Sequence, residues 1–555
     1  MGRPFMNRLT VAYTGALLML ALGCKDLNLG PKDQVSDASF WKNPDQFRLA
    51  ANDFYFALRG PNYIELNSDI ATGSGSSEMS SMSNGSYLPA ANSDLWTNSY
   101  AGIRATNYLL EKASQSGLGS QIDRWVGEAL FFRAYHYWNL VKAYGGVPLI
   151  TTVLDVTSPE VYTPRATQQQ IVDFIIADLD NAVPKLLKQS QLSPAEMGRV
   201  TQGAALALKA RAALYQGTWR KYHAEGDPTA MLTAAINAAQ QLITSNEYDL
   251  YTDHGTDSSY KFLFILQGDD SKEVILARRY YAGRATHNWT RELWFNYMIP
   301  TKKLADMYLC KDGLPIAISP QFLGYDSLAT TEFQNRDPRM AMTFIVPGSD
   351  VHKESGFLPV FPGFSGTTAT RTGYMLRKFL DETDEAAHFA GQYDFKEFRY
   401  GEVLLILAEA LFERDGVISD ADLNRTINVL RGRVGMPTLT NGGVSTNGLD
   451  MLTEIRRERT VELAFEGFRR DDLRRWKTAE TEMPQALRGV KFVGTEFEQR
   501  DSTLVIGTDI QVDGGGFVIA EPASGRQFLP KHYLDPIPLQ QIQLSHGTLT
   551  QNPGW

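Results

Sequence analysis

Cysteine is nearly absent. The 555-residue chain holds two, Cys24 and Cys310, so no disulfide framework can staple it. Histidine is scarce too, with eight, and no pair has convincing metal-ligand spacing. No HExxH, GxSxG, CxxC or phosphate-loop pattern occurs, so the commonest signatures of zinc, serine-nucleophile, redox and nucleotide chemistry are missing. Positive charge is not in excess: the formal net charge is -9 and the pI about 5.5. That argues against nucleic acid as a partner, because phosphate neutralisation wants a basic surface. Beyond Leu22 no apolar run approaches the roughly 18 residues of a membrane-crossing helix.

Ordinary globular material is present instead. Hydrophobic residues make up 43% and charged residues 21%, enough to bury a core without crosslinks. Aromatics are plentiful, with 24 Tyr and 9 Trp, a supply of flat faces for ligand as well as core. The N-terminus reads as an address. Arg3 and Arg8 precede the uncharged stretch Leu9–Leu22, which is short for a span and suits a secretory signal. Ala21-Leu22-Gly23-Cys24 resembles a lipoprotein signal-peptidase site. On that reading residues 1–23 are the signal peptide, Cys24 is lipidated, and residues 24–38 form a tether. Acyl chains contribute about 0.8 kcal/mol per buried CH₂, so several anchor a protein without a transmembrane helix. Lys25-Asp26 resembles the start of a surface-export signal.

Residues 39–555 are expected to form one mainly α-helical domain. Residues 39–270 make an N-terminal helical part, 271–398 an irregular insert, and 399–555 a second helical part with a tail. Apolar residues at helical spacing predict helices over 44–58, 122–144, 167–187, 201–219, 231–245, 399–413, 420–434 and 450–477. Gly145-Gly146 and Pro148 stop the second of these. Residues 60–93 are rich in Gly, Ser, Asn and Pro, a long loop of the kind that often carries function. Glu273–Ala277 reads as a strand. The tail, 528–555, is expected to wrap the surface.

Five segments stand out: Arg133–Leu149 (RAYHYWNLVKAYGGVPL), Gly198–Thr201 (GRVT), Arg399–Leu405 (RYGEVLL), Glu458–Arg470 (ERTVELAFEGFRR) and Leu549–Trp555 (LTQNPGW). Together they resemble the SusD/RagB family of outer-membrane lipoproteins of the Bacteroidetes. The resemblance implies a right-handed superhelix of tetratricopeptide-like helical hairpins carrying a loop-rich ligand-binding half. It implies a partner, a SusC-like TonB-dependent transporter that such proteins cap, and a cargo of oligosaccharide or, in some relatives, peptide. It implies attachment to the outer membrane and no cofactor.

Glu458, Glu462 and Glu466 recur every four residues. Paired carboxylates suggest glycoside hydrolysis. However, seven arginines lie from Arg456 to Arg475. They would lower the acids' pKa values, the wrong direction for a general acid. Structural ion pairs are the expectation, among them Glu466–Arg470 and Asp471–Arg475 at i,i+4 spacing. Arg133 lies in an aromatic helix and needs a carboxylate partner. Asp269-Asp270 and Asp471-Asp472 read as charged turns rather than calcium ligands. Sugar capture needs flat rings and polar neighbours. Trp96 with Asn98, and the aromatic-dense segment Tyr280, Tyr281, Trp289, Trp294 and Tyr297 beside His287 and Asn288, are the candidates, with Tyr63 and Tyr87 behind them. Against Trp96 stands the resemblance of Trp96–Leu110 to a family helix in which the Trp packs. The readings to set against a glycan-binding lid are a peptide-binding lid, a purely structural adaptor for the transporter, and a surface glycoside hydrolase.

Overall fold

The computed structural model describes residues 37, 39–74, 83–325, 327–353, 356–366, 369–382 and 390–555. Cys24 and the signal and tether segments before residue 37 lie outside them. The described chain is mainly helical, and its few sheets are two-stranded and antiparallel.

Helices α1 (Pro44–Asn52), α2 (Asp94–Gln115), α3 (Asp123–Tyr144), α4 (Gln168–Ala182), α5 (Gln202–His223) and α6 (Thr229–Thr244) come first. From α2 to α6 each helix packs on the next. Their starts follow from local chemistry: Asn43, Ser93, Thr167 and Thr201 each accept a first-turn N–H, satisfying donors a helix leaves open. Helix α3 is buried on nearly every side because its residues are apolar nearly all round. It sits close to α2 because Gly102 has no side chain: a Cβ there would lie 2.0 Å from the His136 ring. Burial holds the His136 pKa down at about 4, so the ring is neutral at pH 7.

Arg133 finds its carboxylate across the helix pair. It donates to Asp178 from Nε (2.8 Å) and Nη2 (2.7 Å) and to Asn107 from Nη1 (2.9 Å). Glu128 takes Arg199 of the GRVT segment instead, through 2.9 and 2.6 Å contacts.

The helical layer resumes far along the chain. Helix α8 (Tyr400–Asp415) packs on α6, and α9 (Met451–Glu462) on α8. Residues between carry a second apolar core around Tyr260, Trp289, Met298, Tyr308, Phe344 and Tyr374. This insert includes the short helix α7 (Trp289–Trp294). Val274–Arg278 pairs antiparallel with Phe395–Arg399 where the insert meets the layer.

One continuous helix over 450–477 is not what forms. It breaks between α9 and α10 (Arg469–Arg475), where Phe465 (φ 64°) and Gly467 (φ 83°) adopt the left-handed conformation. The expected Glu466–Arg470 pair is lost with it. The Asp471–Arg475 pair does not form either, although both residues lie in α10, because Asp471 takes Lys142 and Arg470. Glu466 faces Arg399 and Lys378, and Arg475 takes Asp472 and Glu409. Glu458, Glu462 and Glu466 are structural, as their arginine-rich setting indicates. Five cations (Arg339, Lys378, Arg399, Arg431, Arg433) meet five carboxylates (Glu273, Asp337, Glu458, Glu462, Glu466) at the junction of layer and insert. Burial alone would raise the pKa of Glu462, but Arg433, Arg399 and Arg339 outweigh it and hold the carboxyl well below the usual range.

Glu65 is the opposite case. It is a fully buried residue of the first loop, with one oxygen accepting the Arg469 N–H (3.3 Å) and the other unpartnered. Burial pushes its pKa up from 4.5 to about 8. The folded protein therefore keeps a proton that the unfolded chain releases above pH 4.5. Stability should fall as pH rises through the window between 4.5 and about 8. Glu65→Gln should flatten that part of the stability profile, measured by denaturant unfolding at several pH values. An unchanged slope would mean Glu65 is ionised in the fold.

The tail wraps back onto α3. Asn552 donates to the Tyr144 and Asp535 carbonyls at 3.1 and 2.7 Å and accepts from Arg165 at 2.6 Å. The Trp555 indole donates to the Lys531 and Leu534 carbonyls, both at 3.0 Å.

Candidate functional site

The aromatic-dense segment is built on two anchors. Upstream, His287 exchanges backbone hydrogen bonds with Gly391 at 3.0 and 2.7 Å. Its Nδ1 accepts the Trp289 N–H (3.2 Å), so Nε2 carries the proton and donates to the Tyr393 carbonyl (3.0 Å). Burial lowers the His287 pKa, which favours this neutral tautomer. Helix α7 then buries Trp289, Thr290 and Leu293 in the second core and turns Arg291 and Glu292 outward. Downstream, Asn296 is left-handed (φ 60°), buried, and donates to the Ala369 carbonyl at 3.0 Å. With Asn296 pinned inward, its neighbours Phe295 and Tyr297 point to solvent, 50% and 42% exposed.

Two open hollows adjoin here and share Asn288 and Glu292. One, of about 330 Å³, is lined by Gly60, Arg278, Tyr280, His287, Trp289 and Glu292 among others. The other, of about 390 Å³, is lined by Asn288, Arg291, Glu292, Phe295 and Tyr297. The first loop closes one side. Tyr63 donates to the Glu292 carboxylate (2.5 Å), and its ring lies 5.1 Å from that of Trp289. Gly60 permits the approach of Tyr280, whose hydroxyl would lie 2.5 Å from a Cβ there. The Arg278 guanidinium sits 5.7 Å from the Tyr280 ring, and that of Arg291 5.0 Å from the Phe295 ring. Behind Tyr280, Asp394 accepts its N–H at 2.8 Å. Burial, then the neighbouring Asp269 charge, pushes the Asp394 pKa up to about 7.

Of the sequence candidates, Tyr280, Trp289 and Tyr297 line these hollows. Trp289 does so with only 2% of its surface exposed, so it is a core ring with one edge in the groove. Trp294, half-buried, packs against the second core and is not among the residues that line either hollow, a correction to its place in the candidate set. Tyr281 is half exposed on the neighbouring tight turn, and its hydroxyl accepts from Arg279 at 3.1 Å. Trp96 is also corrected. It falls in the first turn of α2 and packs in the helical core beside Tyr100 and Tyr144, with ring centroids at 5.1 and 5.3 Å. Asn98 is exposed on the same helix. Tyr87 packs edge-on against Trp555.

Phe295, Glu292, Arg291 and Arg278 belong to the groove and were not singled out from sequence. Phe295 had a signal, since it stands between two candidate rings; the charged residues had none. Among the described residues no cluster of three or more His, Cys, Asp and Glu could hold a metal ion. Asp270 pairs with Arg279, Asp269 with Lys396, and Asp471 and Asp472 with basic neighbours.

Two family models match the chain. The one described as the SusD family covers residues 243–555, and the one described as starch-binding associating with outer membrane covers residues 58–214. A SusD-like protein of Formosa agariphila, P38, is 23% identical over 508 residues, spanning 83% of this chain and 91% of that protein. Among solved structures, a SusD-like carbohydrate-binding protein of Bacteroides fragilis superposes with a TM-score of 0.75 at 24% identity, covering 92% and 99% of the two chains. A laminarin-binding SusD-like protein superposes with a TM-score of 0.58 at 21% identity, covering 93% and 100%.

Proposed function

This chain belongs to the SusD family, and on that footing we propose that it is a non-catalytic glycan-binding protein of the bacterial cell surface. It is anchored in the outer membrane through lipidated Cys24. It captures oligosaccharide in the groove between the first loop and α7 and caps a SusC-like TonB-dependent transporter that takes up the cargo. The observation that carries this reading is the groove: Tyr280, Trp289, Phe295 and Tyr297 border space that also holds Arg278, Asn288, Arg291 and Glu292. Sugars present C–H faces to rings and hydroxyls to polar groups, and this lining offers both. Hydrolysis of a glycosidic bond needs two carboxylates. Among the described residues the groove lining supplies one, Glu292, already engaged by Tyr63. That favours capture without cleavage.

Calorimetry of the purified protein against a polysaccharide panel should give saturable binding to at least one glycan, with Kd on the order of 1 µM to 1 mM. No new reducing ends should appear on prolonged incubation. Tight peptide binding with no glycan binding would replace the cargo. Released reducing ends would replace the mechanism.

A further inference from the structure

A separate pit lies in the helical layer, between α3, α5 and the α9–α10 break. It is lined by Arg59, Lys142, Arg211, Tyr215, Arg459 and Asp471 among others, and has room of about 30 Å³, enough for a small ion or a water or two. Gly467 keeps it open: a Cβ there would lie 3.1 Å from Arg59 Nη1.

Donors outnumber acceptors in this pit. Arg59 donates from Nε to Glu397 (2.9 Å), and among the described residues its Nη groups have no hydrogen-bond partner. Lys142 spends one of three donors, on Asp471 at 3.2 Å. Arg459 donates from Nε to Asp472 (2.8 Å) and leaves Nη1 buried and unpartnered. The Tyr215 hydroxyl is likewise buried without a partner. The nearby carboxylates are spent. Glu397 takes Arg59, Arg211 and Tyr135; Asp471 takes Lys142 and Arg470; Asp472 takes Arg459 and Arg475. Glu402 and Glu409 are held by Arg211 and Arg475.

Charge is also left over. Six cations (Arg59, Lys142, Arg211, Arg459, Arg470, Arg475) face five carboxylates (Glu397, Glu402, Glu409, Asp471, Asp472) through these pairs. The junction network described above balances; this one does not. An uncompensated charge in a buried setting is costly, and so is a buried donor left without an acceptor. We propose that the pit binds one small monovalent anion of halide size, accepting from Tyr215, Arg459, Arg59 and Lys142. The anion ties α3 and α5 to the α9–α10 break. This site is independent of the glycan groove.

Crystals of the full folded protein grown in bromide in place of chloride should show an anomalous peak in the pit. In solution, Tm should rise saturably by about 1–2 °C when gluconate is exchanged for about 0.1 M bromide or chloride at constant ionic strength. Tyr215→Phe, which keeps the ring and removes the donor, should reduce both signals, and Lys142→Met, which removes the surplus charge, should abolish them. Water density without an anomalous peak would overturn the site. So would equal Tm values in bromide and gluconate.

Discussion

Glu462→Ala should destabilise the protein by about 3–5 kcal/mol, the range seen when one partner of a buried ion pair is removed. The Glu462 carboxylate is fully buried and accepts from Arg433 (2.6 and 2.7 Å), Arg399 (2.8 Å) and Arg339 (2.9 Å). Truncation leaves three guanidiniums around a void and tips a balanced set of five and five to a net positive charge. Glu462→Gln should recover part of the loss, since the amide oxygen still accepts. Because the folded-state pKa is depressed, the contribution of Glu462 is present above its ordinary value of 4.5 and is lost as pH falls below it. Chemical denaturation of both variants at neutral pH and near pH 3 checks this. A loss under about 1 kcal/mol for the alanine variant would show that the arginines redistribute onto their other carboxylates.

The double variant Phe295→Ala with Tyr297→Ala should weaken glycan binding about 30- to 150-fold, or about 2–3 kcal/mol for two rings. Its Tm should stay close to the parent value, because both rings stand half in solvent and little core packing is lost. Trp289→Ala is the contrast. At 2% exposure in the second core, its truncation should cost about 3–5 kcal/mol of stability, and binding should fall with the fold. Calorimetry and thermal melts on the three proteins separate the cases. A double variant that binds like the parent would move the cargo site elsewhere on the surface.

The helical layer was legible because its helices carry runs of apolar residues at helical spacing, several of them opened by a capping side chain (Asn43, Ser93, Thr167, Thr201). Resemblance in five motifs placed them in one family. The break at Phe465–Gly467 was not legible, because the surrounding glutamates and arginines read equally well as a helix surface. Only their distant partners, such as Arg339 and Arg399, show that they face inward. The groove was half legible. Aromatic density pointed to the right segment, but spacing could not say which rings point out. That is decided by Asn296, whose left-handed backbone and bond to Ala369 set the direction of both neighbours. Trp96 could be read either way because a loop-like stretch precedes it; Ser93 caps a helix there and turns the indole into the core. Charged groove residues had no local signal, since their roles depend on Tyr63 and Gly60, more than two hundred residues away.

The ionic junction also bears on the order in which the protein assembles. Glu462 gathers arginines from positions 339, 399 and 433, so none of its bonds can close while the chain is still short of it. An emerging polypeptide can pair its early helices locally, but the insert stays unlocked until the C-terminal third arrives. A fragment ending before α9 would carry arginines with their principal counter-charge missing, a poor candidate for independent folding and a good substrate for quality-control proteases.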